Sequence, residues 1–191
     1  MLTAQQTASL SRALPFWLSL ILIPLAWIGA LYGGWTVVLL PVATWYLFSG
    51  LDALLGLNLE NADPGIGEEH LKAYALITQI WAPLQFLTLF GLLYYVPRAE
   101  HLGALETIVL FFGVGVITGT IGINYSHELM HQKNRFERWL GDILLAMVLY
   151  SHFRTEHLHG HHVYVGTPRD PVTARYNEGF HRYFPRVIWQ V

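Results

Sequence analysis

The sequence predicts an all-α integral membrane protein: a helical bundle of four spans, with a short re-entrant or interfacial helix and cytoplasmic histidine clusters. Three observations predict it. Of 191 residues, 53% are hydrophobic and only 13% charged, with a mean hydropathy of +0.38; a soluble domain carries ~25% charged residues. Uncharged apolar runs recur along the chain at about the ~20-residue length that crosses a bilayer. The basic residues gather toward one end: Lys133, Arg135, Arg138, Arg154, Arg169, Arg175, Arg182 and Arg186 are eight of the eleven Lys and Arg.

The spans fall at about 16–32, 35–51, 74–96 and 105–125. The polar leader is long, and the first apolar run leads at once into a second, so this start is not read as a cleaved signal peptide. Tyr32-Gly33-Gly34 makes a tight outer hairpin between spans one and two. Asp52 to Lys72 is an acidic inner loop rich in turn formers (Asn58, Asn61, Pro64, Gly65, Gly67), and Pro97 to Ala104 is the second outer turn. By the positive-inside rule the basic C-terminal part is cytoplasmic. Four crossings from a cytoplasmic N-terminus, where Arg12 is basic, end on that same side.

Leu140 to Phe153 is treated apart. It has fourteen residues, with Asp142 near its start, which is short for a span and typical of a buried or re-entrant helix. We read it as staying on, or dipping into, the cytoplasmic side. If it crossed, the histidine clusters on its two flanks would lie on opposite faces. Phe180 to Trp189 is aromatic, basic and amphipathic, and lies along the interface. There are no internal repeats or low-complexity tracts, so residues 1–191 read as part of a single membrane-embedded domain.

The chemistry lies in the histidines. His127-Glu128-Leu129-Met130-His131 follows the fourth apolar run, and Glu156-His157-Leu158-His159-Gly160-His161-His162 follows the short one. His127/His131 and His157/His161 share a four-residue spacing that stacks side chains on one helical face; His162 adds to the second set. Neutral imidazole suits Zn, Cu, Fe and Ni, and this many nitrogens can hold more than one ion. His70 and His101 sit in loops and read as solvated. His152 reads as beside the site or facing substrate, His159 as turned outward, and His181 as part of the interfacial stretch.

Alternatives remain at this point. His127-Glu128-x-x-His131 alone is the zinc metalloprotease pattern, with two histidines on the metal and the glutamate as general base. Hydrolytic zinc sites usually take three protein ligands and keep one position open, which five matched histidines exceed. A metal transporter or sensor would place its ligands within the spans. With no cysteine, disulfides, thiolate sites and iron–sulfur ligation within the chain are excluded, and a redox reaction would draw electrons from another protein. The basic residues follow membrane topology and give no nucleic-acid-binding strip.

The two histidine segments, through Gln132-Lys133 in the first, resemble the first two histidine boxes of the membrane alkane 1-monooxygenases, in the integral-membrane desaturase and hydroxylase superfamily. Val165-Gly166-Thr167-Pro168-Arg169-Asp170-Pro171, then Ala174-Arg175, is similar to the segment trailing that second box; Pro83-Leu84-Gln85, and Asn61 near Pro64, also fit. Xylene-type monooxygenases and fatty acyl desaturases are neighbouring branches.

The resemblance implies two non-haem iron ions, O₂, and two electrons from rubredoxin served by its reductase. One oxygen atom enters the terminal C–H bond of an n-alkane or related hydrocarbon drawn from membrane lipid, and the other leaves as water. A thiol-free site suits strongly oxidising chemistry. The setting implied is a bacterial inner membrane. His127, His131, His157, His161 and His162 would be metal ligands, with Glu128 and Glu156 orienting imidazoles by hydrogen bonding and Asp170 doing so for the second cluster. The family also carries a His-x-x-His-His box and a further histidine in an Asn-Tyr-x-Glu-His segment, after two more spans. The chain to Val191 holds neither, so we read it as an N-terminal portion of roughly half the protein. For substrate, Trp45, Phe48 and Trp81 are candidates to set channel depth. Gly113, Gly115, Gly119 and Gly122 allow close helix approach or leave room for a chain.

Overall fold

A computed structural model of the protein describes residues 15–56 and 72–191, whose regular elements are all helical. The expectations placed on Arg12, on Asn58, Asn61, Pro64, Gly65 and Gly67, and on His70 lie outside the described residues. The chain divides into two compact units, Met1–Val148 and Leu149–Val191.

Among the described residues of the first unit, four helices are long and apolar enough to cross a membrane: α1 (Pro15–Tyr32), α2 (Gly34–Leu54), α3 (Lys72–Arg98) and α4 (Ala104–Met130). The chain is a multi-pass membrane protein. The expected spans are found, with one difference. α4 does not stop near residue 125 but continues to Met130, because Ile123-Asn-Tyr-Ser-His-Glu-Leu-Met contains no glycine or proline to break it.

Gly33 and Gly34 make the expected hairpin, both in the left-handed region at φ 60° and 57°, where only glycine is unstrained. The Glu106 carboxylate accepts from the Gly34 and Gly103 N–H groups. One acidic side chain thus ties the α1–α2 turn to the N-terminus of α4, the end where a helix dipole favours negative charge. His101, expected to be solvated, is exposed, yet its Nε2 lies 3.1 Å from the Ala30 carbonyl.

The core is assembled from one stripe per helix: Leu22, Ala26 and Ala30 of α1, Leu40 of α2, Trp81 and Leu92 of α3, Leu110, Val114 and Ile117 of α4. The opposite faces expose Trp35, Leu54, Leu87 and Ile108, as lipid-facing surfaces do. The four glycines of α4 divide. A Cβ on Gly113 would come within 3.0 Å of Leu40 and Pro41, and one on Gly122 would collide with Gln85, whereas Gly115 and Gly119 have no neighbour within 4 Å.

The short helix is α5 (Arg135–Met147). It begins and ends earlier than Leu140 to Phe153. Asn134 caps it by accepting from the Phe136 N–H at 2.9 Å, and past its end Leu149 turns to φ 57°. Its 13 residues rise ~20 Å, short of the ~30 Å hydrocarbon core. Leu140, Gly141, Leu144 and Leu145 form its buried face, and it packs against the end of α4. Ser126 Oγ donates to the Gly141 carbonyl at 2.9 Å, and a Cβ at Gly141 would lie 3.1 Å from the Ser126 carbonyl oxygen. Gln79 of α3 donates to Glu137 at 2.7 Å.

In the second unit, Phe153–Thr155, a π-helical turn Glu156–His161 and His162–Tyr164 run together as α6, and α7 spans Phe180–Gln190. Arg186 organises the intervening loop. Its guanidinium donates to both Glu178 carboxylate oxygens at 2.7 and 2.6 Å, and to the carbonyls of Pro171 (2.7 Å) and Thr173 (3.1 Å).

The Glu178 carboxyl is held at about 2, first by the Arg186 hydrogen bond and then by the Arg175 N–H. A carboxyl depressed on folding stabilises above its ordinary value of 4.5, and that stabilisation is lost as pH falls from there through about 2. A nitroxide on Tyr176→Cys, a fully exposed loop position, should therefore report unchanged mobility from pH 7 to ~4.5 and rising mobility below. In Glu178→Gln the loop should already be mobile at pH 7. Equal mobility in the two proteins at neutral pH would show that this pair does not order the loop.

Candidate metal centre

α4 carries the first histidine set at its C-terminal end. Because the helix is intact there, His127 and His131 sit one turn apart with ring centroids at 4.9 Å and planes at 69°. His127 is half-buried and His131 exposed. The carbonyl-rich end of a helix favours a cation. The chain just beyond is pinned by Arg138, which donates to the carbonyls of Gln132 (2.9 Å) and Lys133 (2.6 Å). Glu128 is exposed, and its carboxylate accepts from Gln132 Nε2 at 2.7 Å.

The second set, in α6, differs from the four-residue pairing read from the sequence. Within a π-turn the repeat closes at i+5, not i+4. His157 therefore meets His162: their Nε2 atoms are 2.8 Å apart and their ring centroids 4.4 Å. His161 is further from His157, at 5.5 Å between centroids, and from His162, at 5.8 Å. Phe153 stacks on the His157 ring at 5.1 Å. Gly160 leaves room for Glu156, whose Oε2 would lie 3.4 Å from a Cβ there.

His161 is held from its other side. Its Nδ1 lies 2.8 Å from Oδ2 of Asp170, which is buried at 2% exposure. Burial pushes the Asp170 carboxyl up, but hydrogen bonds from Thr173, His161 and the Val172 N–H outweigh it, and the net value is below the ordinary one. Asp170 is thus a carboxylate, which only accepts. His161 Nδ1 therefore carries a proton, and in the neutral ring that leaves the lone pair on Nε2, as in carboxylate–histidine–metal arrangements.

Thr173 was not foreseen; its signal is the Asp-x-x-Thr turn, in which its hydroxyl reaches back to Asp170 and also accepts from the Gly166 N–H at 3.0 Å. His159 and His181 are exposed, and exposed His152 packs edge-on to Tyr150 at 4.7 Å.

The donor set fits a metal. Two nitrogens each ~2 Å from one ion stand about 3 Å apart, close to the His157–His162 separation. In each histidine set, imidazoles without a thiolate suit iron, copper or zinc.

Residues 101–191, which hold both histidine sets, match the family described as fatty acid desaturase. Within that class the chain is 33% identical over 159 residues to an alkane 1-monooxygenase of Pseudomonas putida, and 32% identical over 159 residues to alkane 1-monooxygenase 1 of Alcanivorax borkumensis. Each alignment covers 81% of this chain and 39% of the relative. A second Alcanivorax borkumensis protein, alkane 1-monooxygenase 2, is 40% identical over 86 residues, covering 45% of this chain and 22% of the relative. Over these stretches the chain is similar to the membrane alkane 1-monooxygenases. It spans about two fifths of the length of the first two relatives.

Proposed function

We propose that the protein is a di-iron monooxygenase hydroxylating the terminal carbon of n-alkanes or related hydrocarbon chains, with O₂ as oxidant and rubredoxin as electron donor. His127, His131, His157, His161 and His162 are its ligands from this chain. The remaining ligands lie in the length of the relatives that this chain does not cover. Both histidine sets face the cytoplasm across a bacterial inner membrane.

The observation that carries the reading is the second set: a facing imidazole pair beside a histidine whose tautomer a buried carboxylate dictates. Iron held by these nitrogens supplies O₂ activation and oxygen insertion into a C–H bond. The chain's own residues supply the rest. Asp170 presents His161 Nε2, Phe153 steadies the His157 ring, and Glu156, lying beside Gly160, is the candidate to orient an imidazole from its own helix.

A cavity of about 380 Å³ in the first unit suits the substrate. It is lined by Phe16 of α1, Trp45 and Phe48 of α2, and Val116 and Ile121 of α4. On its wall the Ser19 and Tyr125 hydroxyls bond each other at 2.9 Å. An alkane offers no polar handle, so apolar burial at ~0.8 kcal/mol per methylene must bind it. Trp45 and Phe48 line this space. Trp81 does not: it is fully buried in the core, with its Nε1 donating to Gln85 at 2.7 Å.

The fatty acid desaturase match supports a second reading, an acyl chain as substrate of the same kind of centre. The two are separated on the full-length protein by metal analysis and by turnover with reduced rubredoxin under ¹⁸O₂. The expected result is about two iron ions per chain and a primary alcohol carrying the label. Unlabelled olefin from an acyl chain would favour desaturation. Stoichiometric zinc with oxygen-independent peptide hydrolysis would replace both readings by the protease.

A further inference from the structure

α4 is interrupted by a single π-turn, Thr118–Gly122, a device that absorbs one extra residue in a helix of otherwise 3.6-residue repeat. Before the turn the buried positions are Leu110, Gly113, Val114 and Ile117. A regular helix continuing that face would bury residues 121, 125 and 128. From the turn onward the buried residues are Thr118, Gly122, Ser126, Leu129 and Met130; Gly122, Ser126 and Leu129 each stand one place later than 121, 125 and 128, and Glu128 is exposed. Without the turn, the end of α4 would be rotated by ~100°. Glu128 would then enter the core and His127 and His131 would point elsewhere.

Gln85 of α3 is seated against this turn. It is 1% exposed. Its carboxamide fills the space a side chain on Gly122 would need, with Nε2 at 3.0 Å and Cδ at 3.1 Å from that Cβ position. Its Oε1 accepts from Trp81, and Trp81 packs edge-on against Tyr125 at 5.7 Å, two residues before His127. Its Nε2 is buried with no hydrogen-bond partner among the described residues. An unpaired buried amide is unfavourable in itself, so the contacts around it hold the side chain there against that cost.

We propose that the π-turn of α4, kept in place by Gln85 against Gly122, sets the rotation at which His127 and His131 are presented. Gln85 and Gly122 are positioning residues. The inference rests on reading the two histidines as metal ligands.

The test uses the full-length protein in lipid nanodiscs, with single cysteines introduced at Glu128→Cys or Leu129→Cys into this cysteine-free segment and any native cysteine elsewhere replaced. Maleimide should label position 128 and spare position 129. Gly122→Ala, which displaces Gln85, should invert that pattern and lower bound iron at least tenfold. Gly122→Ala with Gln85→Ala, which vacates the space, should restore both.

Deletion of Gly119, an exposed position with open space around it, should leave labelling and iron as in the parent, because a regular helix then keeps the same face. It serves as the decisive variant if Gly122→Ala fails to fold. Unchanged labelling in folded Gly122→Ala, or loss of the 128/129 contrast on deleting Gly119, overturns the proposal. A parent protein with the 128/129 contrast but no bound iron instead overturns the metal-ligand reading and leaves the turn's geometry standing.

Discussion

In the full-length protein, His157→Ala and His162→Ala should each abolish hydroxylation and reduce bound iron to a small fraction of the parent's. The two imidazoles face each other at 2.8 Å between Nε2 atoms, so removing either leaves its partner without the second donor that ion binding at this place requires. His127→Ala, His131→Ala and His161→Ala should behave alike, since each removes a proposed nitrogen ligand. Asp170→Ala should be milder: the His161 nitrogen remains but loses the acceptor that fixes its tautomer, and such partners typically contribute 10–100-fold in metal affinity or activity. His101→Ala should leave iron and turnover at parental levels, because that ring bonds the Ala30 carbonyl at the opposite end of α4 from His127. His70→Ala should do the same. Iron analysis and product assay on membranes from each variant decide the matter. A His162→Ala protein with full iron and activity would show that the second set supplies fewer than three ligands.

The spans were legible because bilayer thickness imposes a length that uncharged runs reveal directly, and the hairpin because two adjacent glycines permit two positive φ values. The end of α4 was less so. The apolar run ends near Tyr125, but hydrogen bonding carries a helix on through polar residues, and hydropathy does not register that. The start of α5 had a local signal in Asn134 followed by Glu137 at the third helical position, which the apolar run beginning at Leu140 outweighed.

The histidines themselves stood out by type and spacing, and Asp170 by its place after the second cluster. Their pairing did not. A π-turn has no residue signature, so a 3.6-residue repeat joined His157 to His161 where the structure joins it to His162. Trp81 differs for a related reason: size and apolar character suggest a channel wall, whereas the Nε1 hydrogen bond to Gln85 fixes it in the core.

Labelling from one side only is the expected topological result, and the proposed centre depends on it. α5 is 13 residues long, ~20 Å of helix against a ~30 Å hydrocarbon core. It is absent from the four helices long and apolar enough to cross. Arg135 and Arg138 at its start and Arg154 after its end place positive charge on both flanks, which a cytoplasmic position of both ends accommodates. Single cysteines at Lys133→Cys and Tyr176→Cys avoid Asn134, which caps α5, and Thr173, which bonds Asp170. Both replaced residues are exposed. In right-side-out vesicles an impermeant maleimide should reach neither; in inverted vesicles it should reach both. Reaction of the two sites from opposite faces would put the hydrocarbon core between His131 and His157. Metal–nitrogen bonds of ~2 Å cannot bridge that distance, and a centre shared by the two histidine sets would be ruled out.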